Sequence, residues 1–60
     1  MVFEIYIDQA NQWRWRILAG NNRIIGDSGE GYIHRSDCEA MVEWIKKNAL
    51  AAQVHVKAPR

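Results

Sequence analysis

The sequence has little of the chemistry that usually stabilises very small proteins. Its 60 residues include one cysteine, so no disulfide can form within the chain, and no cysteine-rich spacing indicates structural zinc. A domain of this size hides only about 60% of the surface that its unfolded chain exposes. We therefore expect one domain, over residues 1–60, that gains stability by pairing with a second copy.

Long apolar runs and an excess of charge of one sign are also missing. No segment approaches the roughly 18 apolar residues of a membrane span, and the first residues do not resemble a secretory leader. Eight lysines and arginines stand against seven aspartates and glutamates, so no overall field draws the chain to nucleic acid or anionic lipid. We expect a cytoplasmic protein without membrane contact.

Alternating apolar and polar side chains predict three successive strands, at residues 2–8, 13–18 and 23–28. Short polar segments between them suit two hairpin turns. In the second strand Trp15 and Ile17 are assigned to the core, and arginines alternate with them. Trp13 lies nearer the hairpin end and is expected to be only partly covered.

An amphipathic helix is predicted over residues 37–48. Ser36 and Glu39 fit a capping box, in which each side chain accepts a hydrogen bond from the other residue's amide. Glu43 and Lys47 are spaced for an i,i+4 ion pair. The apolar residues at the spacing of one helical stripe are Cys38, Met41, Val42, Ile45 and Ala49.

The last segment alternates again, which predicts a fourth strand at residues 53–57 that ends before Pro59. The predicted order is strand, strand, strand, helix, strand. This order indicates an α+β fold, in which an antiparallel sheet packs against one helix.

The most distinctive segments are the Trp-Arg-Trp-Arg strand at residues 13–16 and the Gly-Glu-Gly-Tyr turn at residues 29–32. Together with residues 3–6, 24–28 and 46–49, they resemble the YegP-like family of small bacterial proteins (UPF0339, a domain of unknown function also called DUF1508). Leu18 stands where that family usually has a basic or polar residue, and it adds an apolar spot to the outer face.

The resemblance implies a single-repeat member of a family in which the β-β-β-α-β unit is used in pairs. Such a member is expected to form a homodimer whose units share one sheet and exchange their C-terminal strands. This pairing agrees with the small core of one unit, and it gives residues 54–57 an edge to pair with. The family brings no agreed activity, substrate or catalytic residue.

Two surfaces are candidates for binding. The outer sheet face offers Tyr6, Arg14, Arg16 and Leu18, and a groove of the dimer is expected beside Tyr32, His34 and Arg35. The indoles and guanidiniums of residues 13–16 suit single-stranded nucleic acid. However, alternation places them on opposite faces, and the net charge is only +1. We therefore favour an interaction module without catalytic activity, whose ligand the sequence does not name, and keep nucleic-acid binding as an alternative.

Catalytic and metal-binding patterns are not evident. His34, Cys38 and His55 are the only soft metal ligands, and their spacing does not bring them together on a helix. The glycine-rich residues 26–31 lack the Gly-Lys-Ser/Thr of a phosphate loop. Cys38 lies on the apolar stripe, so we expect a packed thiol. No metal or cofactor is expected; the enzymatic alternative requires a site between two chains, where Asp27, His34 or Cys38 would meet the second copy's His55.

Overall fold

The structure is a computed structural model that describes residues 1–59. Its elements are β1 (Val2–Ile7), β2 (Trp13–Leu18), β3 (Ile24–Asp27) and α1 (Arg35–Asn48), followed by a 3-10 turn at Ala49–Ala51. The strands form one antiparallel sheet in the order β1-β2-β3, and α1 packs on β1 and β2. The predicted sheet packed against one helix is confirmed. None of the helical segments described is both long and apolar enough to span a bilayer.

The register of β1 with β2 places apolar side chains opposite one another. Phe3 lies opposite Ile17, and Ile5 lies opposite Trp15. Because cross-strand partners share a face, these four side chains form the inner face towards the helix. The rings of Phe3 and Trp15 meet edge to face, with centroids 6.1 Å apart. Trp13, Trp15 and Ile17 are all half-buried, so the core is shallower than the alternation suggested.

Both predicted hairpin turns are present. Asn11 and Asn22 each adopt a φ of 63°, a left-handed conformation that asparagine tolerates better than most residues. In the first turn the carboxylate of Asp8 accepts a hydrogen bond of 2.9 Å from the amide of Gln12. The side chain therefore closes the turn that joins β1 to β2.

β3 is shorter than predicted and pairs irregularly. Ile24 lies opposite Leu18 and Gly26 lies opposite Ile17, with a register shift between the two pairs. Ser28 lies beyond β3 but is buried, and its amide donates to the carbonyl of Trp15 at 2.8 Å. This bond holds the loop after β3 against β2.

The helix begins earlier than predicted, at Arg35, and the capping box is not formed. His34 occupies the position before the first turn, and no side chain caps the helix. Since Ser36 already lies inside the helix, Glu39 pairs instead with Arg35, at 3.3 Å between Oε1 and Nε. The predicted pairing of Glu43 with Lys47 is also wrong, because Glu43 contacts Lys46, at 3.7 Å.

The core of one chain is very small. Within residues 1–59, the apolar side chains that are buried are Cys38 and Val42, both on the helix face towards the sheet. Met41 and Ile45 flank them and are half-buried, whereas Ala49 is exposed. The predicted apolar stripe is thus confirmed over most of its length.

The predicted fourth strand is not formed within this chain. Residues 52–59 have no regular secondary structure, and Val54 and Val56 are 87% and 89% exposed. The alternation of residues 53–57 predicts a strand, but a strand requires a partner edge to supply its hydrogen bonds. None of the three strands takes up this segment in the single chain.

Candidate functional site

The outer face of the sheet brings together three of the predicted site residues. Tyr6 lies opposite Arg14, and Arg16 lies opposite Glu4 on the same face. The guanidinium of Arg16 lies over the Tyr6 ring, 4.5 Å from its centroid. These side chains form an ordered layer on the face away from the helix.

Both arginines of this layer already have acidic partners. Nε of Arg16 donates to Oε1 of Glu4 at 2.7 Å, and Nε of Arg14 donates to the carboxylate of Asp8. The hydrogen bond from Arg14 lowers the pKa of Asp8, and the same bond raises the pKa of Arg14. The guanidiniums are therefore neutralised locally, and a phosphate would compete with a carboxylate for either one.

An apolar row crosses the end of the same face. Val2 lies opposite Leu18, which in turn lies opposite Ile24. Val2 and Ile24 are exposed, and Leu18 between them is half-buried. The outer face thus combines a charge-paired half with an apolar end.

The second predicted group lies around Trp13, at the start of the helix. The backbones of Trp13 and Tyr32 exchange hydrogen bonds of 2.7 and 2.8 Å, an isolated bridge that fixes the loop. The guanidinium of Arg35 lies 5.6 Å from the centroid of the Trp13 ring. His34 is exposed beside them. Tyr32, His34 and Arg35 therefore share one corner of the molecule, whereas Arg14 and Arg16 lie on the opposite face of the sheet.

Tyr32 and Cys38 border the interior of that corner. Burial raises the pKa of the Tyr32 hydroxyl, and the nearby Glu30 carboxylate adds to the shift. Burial also raises the pKa of the Cys38 thiol, and the charge of Glu39 acts in the same direction. The thiol is fully buried, as expected for a packed cysteine, and its chemistry at neutral pH is that of the protonated form.

The groups of the enzymatic alternative are not assembled within one chain. Cys38 is buried and His34 exposed, while His55 lies on the C-terminal segment, where Nε2 is 3.2 Å from the Gln53 amide oxygen. Across the described range, no group of three or more histidine, cysteine, aspartate and glutamate side chains is placed to hold a metal ion. A catalytic centre would need residues from a second copy.

One surface feature was not predicted from the sequence. A shallow groove of about 320 Å³ lies along α1 and is lined by Asp37, Ala40, Met41 and Trp44. Trp44, which lies in α1, is 61% exposed. On a helical wheel Trp44 lies opposite the buried Val42, and this position is the sequence signal for its exposure.

The fold and these surfaces define a class of small α+β domain, in which one helix covers a three-stranded antiparallel sheet. The model of a domain of unknown function, DUF1508, matches residues 8–55, and the chain belongs to that family. The resemblance noted from the sequence is thereby confirmed.

Relatives of the chain come from bacteria and archaea. A UPF0339 protein of Neisseria meningitidis is 41% identical over 54 residues, which cover 90% of this chain and 95% of the relative. A UPF0339 protein of Methanosarcina acetivorans is 35% identical over 54 residues, or 90% of this chain and 91% of the relative. The solution structure of a protein from Haloferax volcanii superposes with a TM-score of 0.84, at 38% identity and 93% coverage of each chain. Family membership therefore does not restrict the protein to bacteria.

Proposed function

We propose that the protein is a cytoplasmic homodimeric interaction module whose two copies exchange their C-terminal segments. The observation that carries this proposal is the exposed segment that follows the helix. Leu50 is fully exposed, and Val54 and Val56 are nearly so. Apolar side chains that alternate along an extended backbone are typical of a strand that lacks its neighbour.

β1 offers the longer free edge of the sheet. It spans six residues against four in β3, and it is hydrogen-bonded on one side only. An added strand would pair with the unpaired amides and carbonyls of this edge. With Val54 and Val56 on the inner side, it would extend the apolar face formed by Phe3, Ile5 and Ile7, of which Ile7 is exposed in the single chain.

The energy available from such an exchange is large for this fold. Burial of one valine contributes about 1.5–3 kcal/mol, and a homodimer buries four of them. The net stability of a whole domain is only about 5–15 kcal/mol. Because Cys38 and Val42 are the buried apolar side chains in the described part of one chain, exchange would supply a substantial share of the total.

The length of one relative also supports paired units. A UPF0339 protein in the ptx operon 5' region of Stutzerimonas stutzeri is 49% identical over 47 residues, which are only 41% of its length. A chain of that length has room for two such units in tandem. A single-unit chain would reach the same arrangement by pairing with a second copy.

Sedimentation of the double variant Val54→Asp/Val56→Asp tests the exchange. Two aspartates on the apolar side of the segment should prevent its burial, so we expect the dimerisation constant to fall at least about a hundredfold. Gln53→Asp/His55→Asp adds the same two charges on the alternate side of the segment and is the matched control. A wild-type chain that sediments as a monomer, or a double variant that dimerises like wild type, would refute the proposal.

Single-stranded nucleic-acid binding stays the alternative function. Arg14 and Arg16 would supply the phosphate contacts, but each is paired with a carboxylate. Electrophoretic mobility of single-stranded DNA and RNA at low salt tests this alternative, because phosphate contacts are strongest there. A retarded band that is lost in an Arg14→Ala/Arg16→Ala variant would favour it over a protein partner.

A further inference from the structure

The outer face of α1 carries a stripe of four residues that point away from the sheet. At 100° per residue, Asp37, Ala40, Trp44 and Lys47 lie within about 40° of the direction opposite the buried Val42. The groove on the helix is lined by the first three of them together with Met41. Trp44 is 61% exposed and lies beside the small Ala40, which leaves a step in the surface. We call the four residues Asp37, Ala40, Trp44 and Lys47 the outer helix stripe.

The outer helix stripe is complementary to itself when reversed. Asp37 and Lys47 are each five residues from position 42, and Ala40 and Trp44 are each two residues from it. If two copies pack antiparallel about a two-fold axis at this position, Asp37 of each copy faces Lys47 of the other. In the same arrangement each Trp44 ring faces the small Ala40. Antiparallel packing also opposes the two helix dipoles, which is favourable.

The charges at the two ends of the stripe take part in no ion pair among residues 1–59. The other charged residues of α1 form ion pairs: Arg35 with Glu39, and Glu43 with Lys46. Among the described residues, neither Asp37 nor Lys47 has an ion-pair partner within 4.0 Å. Exposed tryptophans framed by complementary charge are typical of interfaces.

We propose that the outer helix stripe is a self-association surface that binds the same stripe of a second copy in the antiparallel direction. It is separate from the C-terminal segment, and it stands whether or not that segment is exchanged. One helical stripe buries less than the roughly 1,200 Å² of a standard interface, which is the size range of weak and transient associations. With exchange as well, each exchanged dimer would carry two such stripes and would associate further at high concentration.

Charge reversal in the Val54→Asp/Val56→Asp background tests the stripe alone, because exchange is removed there. Asp37→Lys places two lysines opposite each other at both ends of the pair, and Lys47→Asp places two aspartates there. Each reversal should weaken dimerisation at least about tenfold in sedimentation equilibrium. Mixed in equal amounts, the two variants should recover the dimer, because every contact then joins a lysine to an aspartate.

Glu39→Lys and Lys46→Asp are the matched controls, since they make the same changes of charge in the same turns but off the stripe. Each should dimerise like the background, and their mixture should gain nothing, which separates a specific contact from attraction between opposite net charges. Recovery of the dimer in the first mixture also shows that both reversed chains are folded. The proposal is overturned if the background chain is monomeric at millimolar concentration, or if D37K and K47D associate as the background does.

Discussion

At the scale of single residues, the side chain of Asp8 accepts two hydrogen bonds in the first hairpin. Its carboxylate accepts from the amide of Gln12 and from Nε of Arg14. The bond from Arg14, followed by that from Gln12, holds the pKa of Asp8 below its ordinary value. The folded protein therefore binds a proton at Asp8 less readily than the unfolded chain, which makes this carboxylate a source of pH-dependent stability.

We expect this stability to be present above the ordinary aspartate pKa, near 3.9, and to be lost as the pH falls through the lowered value. In Asp8→Asn the amide oxygen still accepts from Gln12, but the charge is gone. Urea midpoints measured from neutral pH down to about pH 2 should therefore fall more steeply for wild type than for the variant. Parallel curves would mean that the Arg14 pair contributes no pH-dependent stability.

Gly31 is required for space rather than for an unusual backbone angle. A β-carbon at this position would clash with Oε1 of Gln12 and would lie 2.8 Å from its Cβ. The second contact is with the root of the side chain, so a rotamer change of Gln12 cannot relieve it. This close approach of two loops is visible only once Trp13 of β2 is paired with Tyr32.

Gly31→Ala should therefore lower the free energy of unfolding by about 1–3 kcal/mol. Gly29→Ala is the matched control, because nothing lies within 4 Å of its added β-carbon, and it should be neutral or slightly stabilising. Thermal unfolding followed by circular dichroism compares the two. Gln12→Gly should restore most of the loss in Gly31→Ala; equal effects of the two glycine variants would contradict the steric explanation.

At the scale of elements, the start of α1 lacks a side-chain cap. The N-cap position is held by His34, and the amides of Asp37 and Cys38 bond its carbonyl at 3.1 and 3.4 Å. Ser36 is already helical, so its hydroxyl cannot take the role that the capping-box pattern assigned to it. A local pattern can place a helix start to within one or two residues, but the chain's approach through the Trp13–Tyr32 bridge decides where the first turn closes.

His34→Asp should stabilise the fold by about 1 kcal/mol, because aspartate at this position can accept from the free amides of the first turn and complements the dipole. Ser36→Ala should change stability by less than about 0.5 kcal/mol, as is usual for an exposed site that makes no specific contact. Urea unfolding of both variants is the measurement. If Ser36→Ala costs more than about 1 kcal/mol and His34→Asp gains nothing, the helix is capped by Ser36 in solution.

The strands illustrate what alternation can predict. β2 has the predicted ends, Trp13–Leu18, and β1 and β3 lie within two residues of theirs, because apolar and polar side chains alternate along β1 and β2 and turn residues bound β3. The grouping of Tyr6, Arg14 and Arg16 on the outer face follows from the same period of two. The neutralisation of the two arginines does not follow from this period, because the pairing of Arg16 with Glu4 depends on a register set by the hairpin. The predicted fourth strand is not formed, because none of the three strands pairs with residues 53–57 in the single chain.

At the scale of the whole molecule, we expect the stability of the fold to depend on assembly. A chain with so small a core gains most from surfaces that a second copy covers, and its exposed Val54 and Val56 give the exchange its apolar surface. For a dimer that dissociates on unfolding, mass action makes the melting temperature rise with protein concentration. A monomer of the same fold would melt at one temperature whatever its concentration.

We expect Tm to rise by about 5–10 °C over a hundredfold increase in protein concentration. Mass action then stabilises the folded dimer by about 1.4 kcal/mol per chain, and the small unfolding entropy of a 60-residue domain converts this free energy into a large shift in Tm. In Val54→Asp/Val56→Asp most of this dependence should disappear, and Tm at high concentration should fall below that of wild type. Scanning calorimetry at several concentrations measures both effects. A wild-type Tm that does not change with concentration would show that the fold is stable as a single chain and that the C-terminal segment is dispensable for it.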